Sequence, residues 1–151
     1  MNQLEELMVK LQKQVQDVVE TDVVETIKDM EIEHIKQDVY DAYNPVVYDR
    51  RKENEGLIDR NNIKGTIQNE NNTISVDVTN DTIENPDYPP TTGEYIDSII
   101  ESGEGYIWKN SEIYKNQPFP RPFTENTYED LKNNKQHIQA LKKGLNQYNI
   151  K

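Results

Sequence analysis

From Leu4 to Tyr43 the apolar residues recur at helical spacing: Leu4, Leu7, Met8, Leu11, Val15, Val18, Val19, Val23, Ile27, Met30, Ile35, Val39, Tyr40 and Tyr43. That spacing predicts one long amphipathic helix or two joined ones. At ~1.5 Å per residue, roughly forty helical residues would reach about 60 Å, longer than a small domain is wide. Part of such a helix needs cover from outside its own domain. Within the stripe, Asp17-Val-Val-Glu-Thr21 is followed at once by an identical Asp22-Val-Val-Glu-Thr26. Five α-helical residues turn through about 500°, so the two copies are expected on different faces, with a break or turn of the stripe near Thr21.

The rest of the chain is punctuated by prolines and glycines. Asn44-Pro45 is expected to end the helix, because proline has no amide hydrogen and pushes its predecessor out of the α region. Val46 to Tyr48 reads as a short extended piece, followed by a charged loop and a Gly56-Leu-Ile turn. Ile63 to Gln68 and Thr73 to Thr79 both alternate, with Ile63, Gly65 and Ile67 set against Ile74, Val76 and Val78, the pattern of a β-hairpin. Asn80 to Glu94 is a long polar loop of a kind that is often functional or ordered by a partner. Tyr95 to Ser102 reads as a short helix stopped by Gly103, and Thr124 as the cap of a C-terminal helix with the stripe Tyr128, Leu131, Ile138, Leu141, Leu145 and Tyr148. The expected fold class is α+β: a long N-terminal helix, a small antiparallel sheet with a hairpin, a short helix and a C-terminal helix. It divides into a helical segment 1–43, a sheet with long loops and a proline-rich arm 44–123, and a C-terminal helix 124–151, together one domain.

Composition narrows the function. Only 33% of the 151 residues are hydrophobic and 30% are charged, with a mean hydropathy of -0.99, so little apolar material opposes the conformational entropy lost on folding. A small core with appendages buried in an assembly reconciles that poverty with the long periodic segments. A formal net charge of -11 repels phosphate backbones, which disfavours ordinary nucleic-acid binding. Without cysteine the chain forms neither disulfides nor thiolate metal sites, which suits the cytosol. The N-terminal stretch MNQLEELMVKLQKQ does not read as a secretion signal, and no apolar run is long enough to span a bilayer, so a soluble protein with no membrane partner is expected.

No catalytic constellation emerges. Glu31, His34 and Asp38 could project from one helical face, as a metal ligand set would, but the flanking EIEHIKQD is uniformly polar and reads as a solvated face. His137, beside the apolar stripe of the last helix, reads as a surface or packing residue. No nucleophile with a base and no phosphate-cradling glycine pattern occurs. The expectation is a protein that is not an enzyme, with no cofactor and no metal. The stretch NQPFPRPF, Asn116 to Phe123, holds both phenylalanines of the chain. It reads as an arm that positions the following helix and packs its rings on the protein's own surface or a neighbour's. Trp108, Tyr114, Phe119, Arg121 and Phe123 are the expected interface residues.

In this order of parts the chain resembles tail-component proteins of tailed bacteriophages, the family that includes neck and tail-completion subunits. Gly56-Leu57 with Asn62-Ile63 looks like that family's entry to the sheet, and Ile74 to Val78 like its return strand. Tyr95 to Gly103, ending Glu101-Ser-Gly103, resembles its tyrosine segment, and Pro118-Phe-Pro-Arg-Pro122 with the helix from Thr124 to Leu145 its arm and last helix. The chain departs from the pattern in having Glu55-Gly56 for a Thr-Gly pair, and in its long 80–94 loop. The resemblance implies a structural virion protein at the junction of head and tail. It would be a homo-oligomeric ring around a DNA channel, contacting other neck, head-closure and tail proteins, and made in the host cytoplasm. An acidic wall would let DNA pass without binding it. The alternative, from the charge alone, is a small acidic inhibitor that imitates DNA.

Overall fold

The computed structural model describes residues 2–46, 49–70, 73–84, 95–105, 115 and 119–150. Its architecture is α+β. The long helix runs from Gln3 to Tyr40 as α1 (Gln3–Val18), a π-helical turn (Val19–Val23), α2 (Val24–His34) and a second π-helical turn (Ile35–Tyr40). It starts on a reciprocal cap: the Glu5 amide donates to the Asn2 side chain and the Asn2 amide to the Glu5 carboxylate, each at 2.9 Å.

The first π turn falls within the repeat, around Thr21. The Val24 amide bonds to the Val19 carbonyl, five residues back. Such a turn is wider than an α turn, so each residue advances the helix by a smaller angle. Val18 and Val19 of the first copy and Val23 and Val24 of the second are all buried. They meet different partners: Val18 lies against Gly144 and Val24 against Gly65 of the hairpin. Both threonines bond alike: Thr21 Oγ1 donates to the Asp17 carbonyl at 2.8 Å and Thr26 Oγ1 to the Asp22 carbonyl at 2.7 Å. Each hydroxyl supplies a donor where the backbone ladder loosens.

The helix stops at Tyr40, before Asn44-Pro45. The Asp41 amide reaches back to Lys36 at 2.9 Å, and the Arg50 guanidinium donates to the carbonyls of Tyr40 and Tyr43 while lying 4.9 and 5.7 Å from their ring centroids. A cation there satisfies terminal carbonyls and meets the negative end of the helix dipole. The extended piece expected at 46–48 falls mostly outside the described residues.

β1 (Ile63–Glu70) and β2 (Thr73–Asn80) form an antiparallel hairpin in which Ile63 pairs with Asn80, Gly65 with Val78 and Ile67 with Val76. The apolar face is the one the alternation predicts. It lies close against the long helix at Gly65, where a Cβ would come within 2.4 Å of Val24 Cγ1.

Most of the long polar loop lies outside the described residues. Beyond it Ile83 bridges Tyr95, and α3 (Asp97–Ser102) ends on Gly103 at φ 71, a conformation that glycine adopts at little steric cost. The expected C-terminal helix is two helices, α4 (Phe123–Asn134) and α5 (Gln136–Gln147), separated by Lys135 at φ 54. That kink lets α5 turn back across the first π turn, where Gly144 meets Val18. The buried centre consists of Ile35, Val39, Leu57, Ile58 and Phe123, with Ile32, Tyr40, Ile96 and Ile100 packed around it. Residues remote in sequence thus share one core.

Candidate functional site

The proline arm and the helix after it are held by α3. The Arg121 amide donates to the Ile100 carbonyl at 3.0 Å. The two oxygens of Glu101 accept the amides of Thr124 and Glu125, each at 3.1 Å. A carboxylate at a helix N-terminus satisfies amides that lack intrahelical partners and faces the positive end of the dipole. The expected cap was Thr124 itself. It is corrected by this contact, because the helix begins one residue earlier, at Phe123, and leaves Thr124 inside the first turn.

The arm's residues serve different ends. Phe123 is 0% exposed, and Arg121 is buried too. Both are committed to the chain's own fold, which corrects the expectation that they face a neighbour: an interface ring has to be accessible, and Phe123 fills the core instead. Phe119, by contrast, is 62% exposed. Trp108 and Tyr114 lie outside the described residues, as does the start of the arm at 116–118.

The three residues weighed as metal ligands do not converge. His34 links α2 to α4, with Nδ1 3.1 Å from Asp38 Oδ2 and Nε2 3.0 Å from Asp130 Oδ2. Asn126 donates to the same Asp38 oxygen at 3.0 Å. Glu31 faces elsewhere, toward the end of β2. Among the described residues no group of three or more metal-ligating side chains could hold an ion.

Glu31 belongs instead to a buried polar cluster that the sequence did not reveal. It is 3% exposed, and Asn80 and Thr82 are buried beside it. Asn80 Nδ2 donates to Glu31 at 3.2 Å and to the Leu57 carbonyl at 2.9 Å. The Thr82 hydroxyl donates to Asn80 Oδ1 at 2.6 Å. Burial pushes the Glu31 carboxyl up to about 7; the Asn80 hydrogen bond opposes this, and the charges of Asp97 and Glu101 add to it. A shallow groove of about 300 Å³ runs between the long helix and β1, lined by Gln16, Glu20, Val24, Glu25, Lys28, Gly65 and Ile67.

The first part of α1 is an accessible apolar stripe. Residues 2–13 are all exposed, and Leu4, Leu7, Met8, Val9 and Leu11 remain 43–65% exposed. The stripe that enters the core at Val18 therefore continues along a bare helix for about three turns. Among the described residues no helix is long and apolar enough to cross a membrane.

Comparison with known families decides kinship. The YomN family model matches residues 3–147, from the start of α1 to the end of α5. The chain belongs to the YomN family. It is similar to the SPbeta prophage-derived uncharacterized protein YomN of Bacillus subtilis (strain 168), with 35% identity over 119 residues, covering 79% of this chain and 73% of the relative. No solved structure matches the chain. The YomN match takes in the bare part of α1 as well as the packed body, so the overhang belongs to what the family model describes.

Proposed function

We propose that this chain is a structural virion protein of a tailed bacteriophage: a neck subunit, head-to-tail connector or tail-completion protein that forms a ring around the DNA channel. The prophage origin of its relative supports a phage lineage. The observation that carries the reading further is the overhang of α1. A helix capped at its first residue and apolar along one side, yet bare for about three turns, is suited to burial in an assembly.

Charge favours copies of the same chain as one of its neighbours there. Residues 2–16 hold Glu5, Glu6, Lys10 and Lys13, two of each sign, whereas the whole chain carries -11. Two such chains repel less at this segment than elsewhere. Phe119 and the remaining acidic surface are left for other neck, head-closure and tail proteins and for a channel wall that does not retain DNA. On this reading the protein works through its surfaces, without catalysis or a cofactor.

Removal of the gene from a producing phage tests it. Heads filled with DNA and separate tails, joined again when the protein is supplied, are the expected products, with the protein located at the neck in labelled particles. Normal infectious particles lacking the protein would overturn the proposal. Salt-sensitive capture of a basic nuclease by a monomer would favour the acidic inhibitor instead.

A further inference from the structure

The hairpin is a sheet of two strands, so among the described residues each strand is paired on one side and leaves an edge on the other. Its ladder runs from Ile63–Asn80 to Glu70–Thr73 with no residue skipped. In an antiparallel ladder every second pair exchanges both backbone bonds, and Glu70 with Thr73, two residues apart across the turn, closes the hairpin as such a pair. The outward amides and carbonyls therefore belong to Gly65, Ile67 and Asn69 on β1 and to Ile74, Val76 and Val78 on β2. Neither edge is blunted by a proline or a bulge. The charged residues of 63–80 are Lys64, Glu70 and Asp77, which sum to -1 in a chain that carries -11.

The two edges differ, and they complement each other. The groove beside the long helix is lined by Gly65 and Ile67 of β1 and by no residue of β2, so it opens at the β1 edge. Ile74, Val76 and Val78 of β2 lie on the same face of the sheet as Gly65 and Ile67, and they are only half-buried. A β2 strand laid antiparallel along β1 would continue the sheet over the groove. With its Val76 opposite Gly65, its Ile74 falls opposite Ile67 and its Asp77 opposite Lys64. Both charged residues are exposed on the other face, and among the described residues neither has an ion-pair partner. We propose that a second copy of this chain supplies that strand, β2 of one copy adding to β1 of the next. The outward backbone groups hold the strands together, and the Asp77–Lys64 pair sets their register. Low local charge lets two acidic chains meet there. Because each copy uses a different edge on either side, the contact is head-to-tail and repeats until it closes into a ring. It rests on the ring proposed above and specifies two surfaces that form it.

Disulfide trapping tests the contact, since the chain has no cysteine of its own. Full-length Lys64→Cys and Asp77→Cys proteins are purified separately, mixed and oxidised. Both positions are exposed, and opposite residues that share no backbone bond lie within disulfide reach. The mixed dimer is expected in excess over the statistical proportion. A statistical mixture of the three dimers, or no cross-linked product, overturns the proposal. In the full chain, Lys64→Asp should weaken association roughly fivefold at low salt, because like charges then face each other. Adding Asp77→Lys should restore it, and a double variant as weak as the single one also overturns the pairing. The neck assignment fails separately: mixed dimers together with normal particles lacking the protein would remove the neck and keep the strand contact, whereas protein found at the neck without mixed dimers would do the reverse.

Discussion

Gly144 of α5 lies so close to Val18 of α1 that a Cβ at Gly144 would fall 2.3 Å from Val18 Cγ1. Asp22 Oδ2, in the π turn, would be 2.8 Å away. The C-terminal helix thus rests directly on the turn made by the repeated DVVET segment, and the missing side chain sets the distance between them.

Gly144→Ala is therefore expected to destabilise the fold. Alanine gains about 1 kcal/mol over glycine in an open helix, yet overpacking here should cost ~1–3 kcal/mol and leave a net loss. Urea unfolding measures it. Val18→Ala should relieve part of the loss in the double variant, and a more stable Gly144→Ala protein would contradict the close approach.

Phe123 and Phe119 should separate stability from assembly. Removing the fully buried ring of Phe123 is expected to cost ~3–5 kcal/mol. Phe119→Ala should leave the unfolding midpoint nearly unchanged, and on the proposed function it weakens incorporation into particles. Deleting 117–123 as a block should unfold the protein as well as prevent assembly, because the deletion removes Phe123 from the core. Equal stability losses for the two alanine variants would refute this division of roles.

Glu101→Ala removes the carboxylate that caps α4. A loss of about 1 kcal/mol is expected, typical of a lost N-cap. It should appear first as faster amide exchange at Thr124 and Glu125. Unchanged exchange at those two amides would show that another group does the capping.

Stability should fall as pH rises through the weakly acidic range. Burial holds the Glu31 proton in the folded chain up to about 7, against an ordinary value of 4.5. Between these values the unfolded chain has released a proton that the folded chain retains, so unfolding gains with each step upward. The contribution of Glu31 is without penalty below the lower value and levels off above the higher, with a span on the order of 3 kcal/mol at ~1.4 kcal/mol per pH unit. Chemical denaturation of wild type and Glu31→Gln between pH 4 and 8 checks it: the difference between the two should change over that window and not outside it.

Removing residues 1–11 should leave the thermal unfolding of the body close to that of the full chain, because the deleted turns are exposed. On the proposed function the truncated chain sediments as a monomer at concentrations where the full chain associates. Identical sedimentation of the two would remove the overhang from the list of assembly surfaces.

The long helix, the hairpin with its register face, the stop at Gly103 and the existence of a C-terminal helix were legible from periodicity and turn residues alone, since each depends on neighbours a few positions away. The lack of core material pointed to an appendage, and the bare start of α1 is where it lies. Other readings failed where the deciding partner is distant. Five-residue spacing carries no sign that a π turn will form between the two valine pairs. Lys135 gives no local warning of a positive φ. Phe123 sits beside prolines, yet fills a core assembled from Ile35, Val39, Leu57 and Ile58.

Amino-acid order by itself settled the long helix and the hairpin, where their apolar stripes run, and that the chain is strongly acidic. Three-dimensional packing alone settled what the polar groups do. Among so many carboxylates, Glu101 became a helix cap and Glu31 a buried acid because of what folded next to each. The physical reason is one of range: backbone preference and periodicity act over one or two turns, whereas desolvation, capping and steric contact depend on atoms brought together from 20 to more than 100 positions away.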